Sequence, residues 1–167
     1  MRLAFEELGR KAATNEDGLK LLVDATKSPY LQGVAVAGIG VAAENGNEKA
    51  VELLVDPVKN GWLLSSSAGA LVKVAQGGNE QAIEFMRQLT TDPVNAGLWN
   101  FAAEGLMPAA ESGNEAAISG LINMVEAKRS WLTDKVVKSL KIAAENGSQS
   151  AVGALRRMEQ TLSTPHR

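Results

Sequence analysis

Apolar residues along this chain follow two nested rhythms. Within short stretches they fall three, four and seven residues apart, the spacing of one face of an α-helix. Over longer stretches the whole pattern returns, and a short polar motif marks each return. It reads Ala42-Ala43-Glu44-Asn45-Gly46-Asn47-Glu48, then Val74-Ala75-Gln76-Gly77-Gly78-Asn79-Glu80. It comes back as Ala109-Ala110-Glu111-Ser112-Gly113-Asn114-Glu115 and as Ala143-Ala144-Glu145-Asn146-Gly147-Ser148-Gln149. A shorter form, Ala12-Ala13-Thr14-Asn15-Glu16, stands near the start. Asn15, Asn47, Asn79, Asn114 and Ser148 serve as register marks, spaced 32, 32, 35 and 34 residues apart. Five copies at such a period predict a stack of supersecondary units rather than one globular core.

Two helices fit in each period. Three residues after the mark stand Gly18, Ala50, Ala82, Ala117 and Ala151. Four after it stand Leu19, Val51, Ile83, Ile118 and Val152, and seven after it Leu22, Leu54, Met86, Leu121 and Leu155. These offsets define one face of the second helix of each repeat. The mark itself is a good N-cap, because its side-chain oxygen accepts from a free N–H of the first turn. Glu16, Glu48, Glu80 and Glu115 follow in that turn, where the helix dipole favours negative charge.

The first helix of each repeat lies upstream. Leu31, Leu63, Leu98 and Leu132 form one column, and Ile39, Leu71, Leu106 and Leu140 another, eight residues on. Small residues, Gly38, Ala70, Gly105 and Ser139, precede the second column and allow close helix approach. The stretch from Val34 to Ala43 is apolar on all sides, as suits the middle of a stack. Gly46 and its counterparts then take a left-handed C-cap. Pro29, Pro57 and Pro93 mark the turn into the next repeat, since proline ends a helix but suits the first turn of another.

The expected architecture is all-α: a right-handed α-α superhelix, or solenoid, of about five two-helix repeats. The repeats run roughly 1–28, 29–56, 57–92, 93–126 and 127–162, forming one domain over 1–162 with a frayed tail at 163–167.

Composition narrows the function. The 167 residues contain no cysteine and a single histidine, His166. Disulfides, thiolate chemistry and histidine-based catalysis or metal binding therefore fall away. No spacing matches an EF-hand or a phosphate loop. We expect no enzyme activity and no cofactor. The longest uncharged apolar run, Gly33 to Ala43, is far shorter than the roughly 20 residues that span a bilayer, so no membrane role is expected. The amino terminus lacks the apolar core of a secretory signal. The expected location is the cytoplasm, and an exported effector without a cleavable signal would have the same character.

Three groups of residues are candidates for binding. Glu44, Glu48, Glu80, Glu111, Glu115 and Glu145 recur at the corner between paired helices. In a solenoid they would form an exposed acidic stripe, either capping helices or docking a basic partner. Tyr30, Trp62 and Trp131 share a column at the start of the first helix, with Trp99 nearby. They either fill gaps where the chain crosses between repeats or anchor a partner. Finally, charge is uneven. Residues 1–127 hold 9 Lys/Arg against 16 Asp/Glu, and residues 128–167 hold 8 against 3. The basic end includes Lys128, Arg129, Lys135, Lys138, Lys141, Arg156 and Arg157, and reads as a polar cap or as a contact for an acidic protein or nucleic acid. Five residues after the mark, Lys20, Glu52, Glu84, Ser119 and Gly153 are expected to be exposed. The first helix carries more apolar residues than one buried face needs. Leu3 or Phe5 is therefore expected to stay partly exposed, which would allow weak self-association.

Several families share these features. Ala42-Ala43-Glu44-Asn45-Gly46 followed by Ala50-Val51-Glu52-Leu53-Leu54 resembles the inner half of an ankyrin repeat, without its Thr-Pro-Leu-His start. The paired long helices resemble HEAT and armadillo repeats over nearly the whole chain. A weaker likeness, at Leu132-Thr133-Asp134-Lys135-Val136-Val137 and Val72-Lys73-Val74-Ala75-Gln76-Gly77-Gly78, is to the DNA-reading repeats of TAL-type effectors. The HEAT and armadillo resemblance implies a curved scaffold that binds other macromolecules, and non-enzymatic protein–protein binding is the expected function. The basic carboxyl end makes nucleic-acid binding the alternative.

Overall fold

The computed structural model describes residues 1–60, 64–91, 96–127 and 133–163. Among these residues there are ten α-helices, one 3-10 turn at Ala96–Leu98 and no strand. The helices are α1 Arg2–Ala12, α2 Glu16–Thr26, α3 Gln32–Glu44, α4 Glu48–Asn60 and α5 Leu64–Gln76. They continue as α6 Glu80–Thr91, α7 Trp99–Glu111, α8 Glu115–Glu126, α9 Thr133–Glu145 and α10 Gln149–Ser163. Odd-numbered helices are the first helices of the five pairs, and even-numbered helices the second.

Each pair is joined by a three-residue corner that the sequence motif encodes. After α3, Gly46 adopts a φ of +92°, which costs a residue without a Cβ nothing. The Gly46 N–H then donates to the Ala43 carbonyl, and the Asn47 N–H to the Ala42 carbonyl. This is the Schellman arrangement, which satisfies carbonyls that the helix end leaves free. The same pair of bonds forms at Gly78, Gly113 and Gly147. The residue that closes the first helix also opens the second. Asn47, Asn79 and Asn114 accept from the N–H three residues on, at 3.0 Å each. Ser148 does the same at 3.3 Å, and Asn15 accepts from Asp17 at 2.9 Å. Helix end, turn and helix start are thus fixed by local bonds alone.

The chain divides into two compact units, Met1–Ala82 and Ile83–Arg167. In the first unit α1 packs on α3 and α3 on α5, while α2 and α4 each pack on their own first helix and on the next one. In the second unit α7 packs on α9, α8 on α7, α9 and α10, and α10 on α9. Within each unit, helix pairs pack on their neighbours in sequence order, the arrangement of an all-α solenoid.

The repeat columns supply most of the core, although Leu31, Val152 and Leu155 are half-buried and Leu63 and Leu132 lie outside the described residues. Ile39, Leu71, Leu106 and Leu140 are at most 3% exposed, and Leu22, Leu54, Met86 and Leu121 are fully buried. Small residues allow the first helices to approach closely in the first unit. A Cβ on Gly38 would lie 2.6 Å from Leu22 Cδ2 and 2.7 Å from the Phe5 carbonyl oxygen. A Cβ on Gly9 would collide with the Gly38 carbonyl oxygen.

Pro57 departs from the sequence reading. It lies buried inside α4, which runs on to Asn60, and does not mark a turn. Only three residues of helix follow it, so the bond lost by its missing N–H falls near the helix end. Pro29 does stand in the turn that follows α2. Pro93 lies outside the described residues, as do residues 164–167 of the expected tail.

One core position is imperfect. Twelve residues before the mark, Ala35, Ala102 and Val136 are fully buried, and Ser67 takes the same place in α5. Its hydroxyl is buried with no hydrogen-bond partner among the described residues. A buried unpaired hydroxyl costs about 1–3 kcal/mol. Ser67→Ala should therefore raise stability by about 1 kcal/mol, read as a higher urea midpoint at unchanged slope. A lower midpoint would mean that the hydroxyl is bonded after all.

Candidate functional site

The corner glutamates divide by role. Glu44, Glu48, Glu80, Glu115 and Glu145 are exposed at their corners. Glu111 is half-buried, contrary to the expectation of a largely exposed edge. The reason is its bonding to the next pair. Ser139 Oγ donates to Glu111 Oε1 at 2.7 Å, and Asn146 Nδ2 donates to the Glu111 backbone carbonyl at 2.7 Å. Ser148 Oγ similarly donates to Glu115 Oε1 at 3.0 Å while accepting from the Ala151 N–H. In the first unit Asn47 Nδ2 donates to the Ala12 carbonyl at 2.8 Å. The corners therefore fasten one helix pair to the next, and two of the six glutamates serve as acceptors there.

Of the aromatic residues, Trp62 and Trp131 lie outside the described residues. Trp99 opens α7 and is half-buried. Tyr30 is 95% exposed in the turn between α2 and α3, so it fills no gap between repeats.

Lys135, Lys138 and Lys141 are exposed along one arc of α9, while Lys128 and Arg129 lie outside the described residues. The register explains the arc. The lysines stand thirteen, ten and seven residues before the mark. At ten before the mark on α1 is Phe5, whose carbonyl meets Gly38 of α3. At seven before it on α3 is Gly40, where a Cβ would lie 3.1 Å from Ala70 Cβ of α5. This arc of a first helix is thus the one turned toward the following pair.

The outer face of the second helices is the surface whose chemistry changes most. Two and nine residues after the mark stand Asp17 and Asp24, Lys49 and Asp56, Gln81 and Gln88, Ala116 and Asn123, then Ser150 and Arg157. Those of α2, α4, α6 and α10 are exposed, and those of α8 half-buried. Between them runs the column expected to be exposed, five after the mark. There Lys20 and Glu52 are exposed, whereas Glu84, Ser119 and Gly153 are half-buried. The wider face was legible from the same register, by taking the positions complementary to the core columns.

Glu84 is bound by its own helix. Arg87 Nε and Nη2 donate to its two carboxylate oxygens at 2.7 and 2.6 Å, and Gln88 Nε2 adds a bond at 3.1 Å. These bonds hold the Glu84 carboxyl down at about 2, against an ordinary 4.5. A lowered value in the folded state stabilises above the unfolded value and is lost as pH falls through the folded one. Glu84→Gln should therefore cost a few tenths of a kcal/mol at pH 7, since both partners are partly exposed. Urea unfolding at neutral pH and near pH 2 should show that difference vanish at the acid end.

Among the described residues no group of three or more His, Asp or Glu is placed to hold a metal ion. No helix among them is long and apolar enough to cross a membrane. No protein-family model, no curated protein and no solved structure matches the chain.

Proposed function

We propose that this protein is a non-enzymatic binding scaffold, a helical array of the HEAT or armadillo kind, whose second helices present a protein-binding face. One observation carries this reading. The core columns repeat almost without change, while the outer face of the second helices differs in every repeat. It is acidic with one lysine in α2 and mixed in α4, rich in amides in α6, uncharged in α8 and basic at Arg157 in α10. A solubilising surface needs only polarity, and any polar residue supplies it. A surface that changes in charge and size along an invariant scaffold suits recognition of one irregular partner. The lack of cysteine suits work in a reducing compartment such as the cytoplasm.

The test is affinity capture from the native cell with two baits, the parent chain and a Lys20→Glu, Glu52→Lys, Arg157→Glu variant. The parent should retain a defined protein that the variant loses, and nuclease treatment should leave the capture unchanged. A variant that retains the same protein removes the second-helix face from the reading. Loss on nuclease treatment would move the protein to nucleic-acid binding.

A further inference from the structure

The corner between paired helices needs a left-handed glycine, because a residue with a Cβ is strained there. At the last corner this is Gly147, with a φ of +99°. The residue before that glycine varies, and it reads Asn45, Gly77, Ser112 and Asn146. Two corners therefore contain Asn-Gly. A third such pair, Asn60-Gly61, runs out of the described residues. Asparagine is among the chemically labile residues, and a following glycine makes it more so. Its side-chain carbonyl carbon can close a five-membered ring with the next main-chain nitrogen. Glycine, having no Cβ, leaves that nitrogen unshielded.

The two corners hold their asparagines differently, although Asn45 and Asn146 are both exposed. Asn45 Nδ2 donates to the Val41 carbonyl of its own helix at 2.7 Å, and Ser112 Oγ donates to that of Pro108 at 2.9 Å. Asn146 Nδ2 instead reaches across to the preceding pair, at the Glu111 carbonyl. Beside it Ser139 bonds the Glu111 carboxylate, and Ser148 bonds that of Glu115. Ser139 and Ser148 are buried, so Asn146 is the member of this group open to water.

We propose that Asn146 is a self-modification site whose conversion unfastens this corner from the preceding pair. The Gly147 main-chain nitrogen gives up its proton and attacks Asn146 Cγ. A C–N bond forms, the Cγ–Nδ2 bond breaks, and ammonia leaves with that proton. Water then adds to the side-chain carbonyl of the cyclic imide, giving aspartate, or to the main-chain carbonyl, giving isoaspartate. The sum is amide plus water to carboxylate plus ammonium, and it needs no other reactant. In the closed corner the Gly147 N–H donates to the Ala144 carbonyl at 3.0 Å, which withholds the attacking nitrogen. Attack therefore proceeds when the corner opens, and exposed local structure opens at far lower free energy than the core. The product does not reclose in the same way. Aspartate replaces the Nδ2 donor by an oxygen, so two acceptors face each other at the Glu111 carbonyl. It also adds a negative charge near the Glu111 carboxylate. Isoaspartate lengthens the main chain by one atom, inside the turns that the Gly147 and Ser148 N–H groups close. At Asn45 the same conversion to aspartate disturbs a bond within α3 rather than one between pairs. This site is separate from the outer face of the second helices.

The experiment keeps the folded full chain for weeks at mildly alkaline pH and then cleaves it after Lys141 and Arg156. The fragment 142–156 contains no asparagine besides Asn146. Mass spectrometry should find it heavier by the replacement of NH with O, and chromatography should separate aspartate and isoaspartate forms. In Asn146→Asp, made directly, native-state hydrogen exchange at the Gly147 and Ser148 amides should be about tenfold faster than in the parent. Asn45→Asp should speed exchange at Gly46 and Asn47 by a smaller factor. The inference is overturned if the fragment from the folded chain shows no conversion after a synthetic copy of it has converted completely. It is equally overturned if Asn146→Asp leaves exchange at Gly147 and Ser148 unchanged, or if Asn45→Asp has as large an effect at its own corner.

Discussion

Adding one methyl group at Gly9 destabilises this protein, although alanine is the better helix former. In an open helix the change from glycine to alanine gains about 0.5–1 kcal/mol, because glycine loses more backbone freedom on folding. Gly9 is not open. The new Cβ would meet the Gly38 backbone carbonyl and lie 2.9 Å from Val41 Cβ. A backbone carbonyl cannot swing aside as the end of a flexible side chain can, so α1 and α3 must separate. Overpacking of this kind costs about 1–3 kcal/mol, and the gain in propensity offsets only part of it. Gly9→Ala should therefore lose about 2 kcal/mol net. Gly69→Ala is the control. It lies within α5, and among the described residues no neighbouring atom lies within 4 Å of its Cβ position. That variant should gain about 0.5–1 kcal/mol. Urea unfolding followed by circular dichroism reads both. If the two variants shift the midpoint in the same direction, α1 and α3 are not in the close contact described.

Truncating the column seven after the mark gives the other large effect. Leu121→Ala and Leu54→Ala should each cost about 2–5 kcal/mol, from lost transfer energy plus the cavity left behind. Both leucines are fully buried. The informative comparison is Leu155→Ala, at the same register in α10. Leu155 is only half-buried, so less apolar area is lost and no closed cavity forms. Its truncation should cost well under half as much as that of Leu121. Equal losses at Leu121 and Leu155 would show that Leu155 is covered as fully as Leu121.

The same comparison shows what can be read from the chain alone. Leu121 and Leu155 are indistinguishable by pattern, since both follow an N-cap by seven residues and share the same helical face. Sequence periodicity therefore determined the helices, their pairing and the columns that face the core, but not how fully each member is buried. It also determined the corners, because a left-handed glycine followed by a capping Asn or Ser closes its hydrogen bonds within six residues. Such bonds depend on little else.

What the tertiary structure decided concerns contacts between residues about one repeat apart. Glu111 read as an exposed stripe residue until Ser139 and Asn146, from the next pair, were found bonded to it. Tyr30 read as gap filler or partner anchor, and it stands 95% exposed in its turn. Pro57 read as a turn because proline usually ends a helix. The sequence does not show that α4 stops only three residues later, where a missing bond costs little. The closeness of α1 to α3 is hidden for a related reason. A glycine inside a helix has the same local signature whether a backbone carbonyl or open solvent faces it. Local chemistry fixes φ, caps and periodicity residue by residue. Burial, exposure and clash belong to pairs of elements, and only the packing of each helix pair on its neighbour sets them.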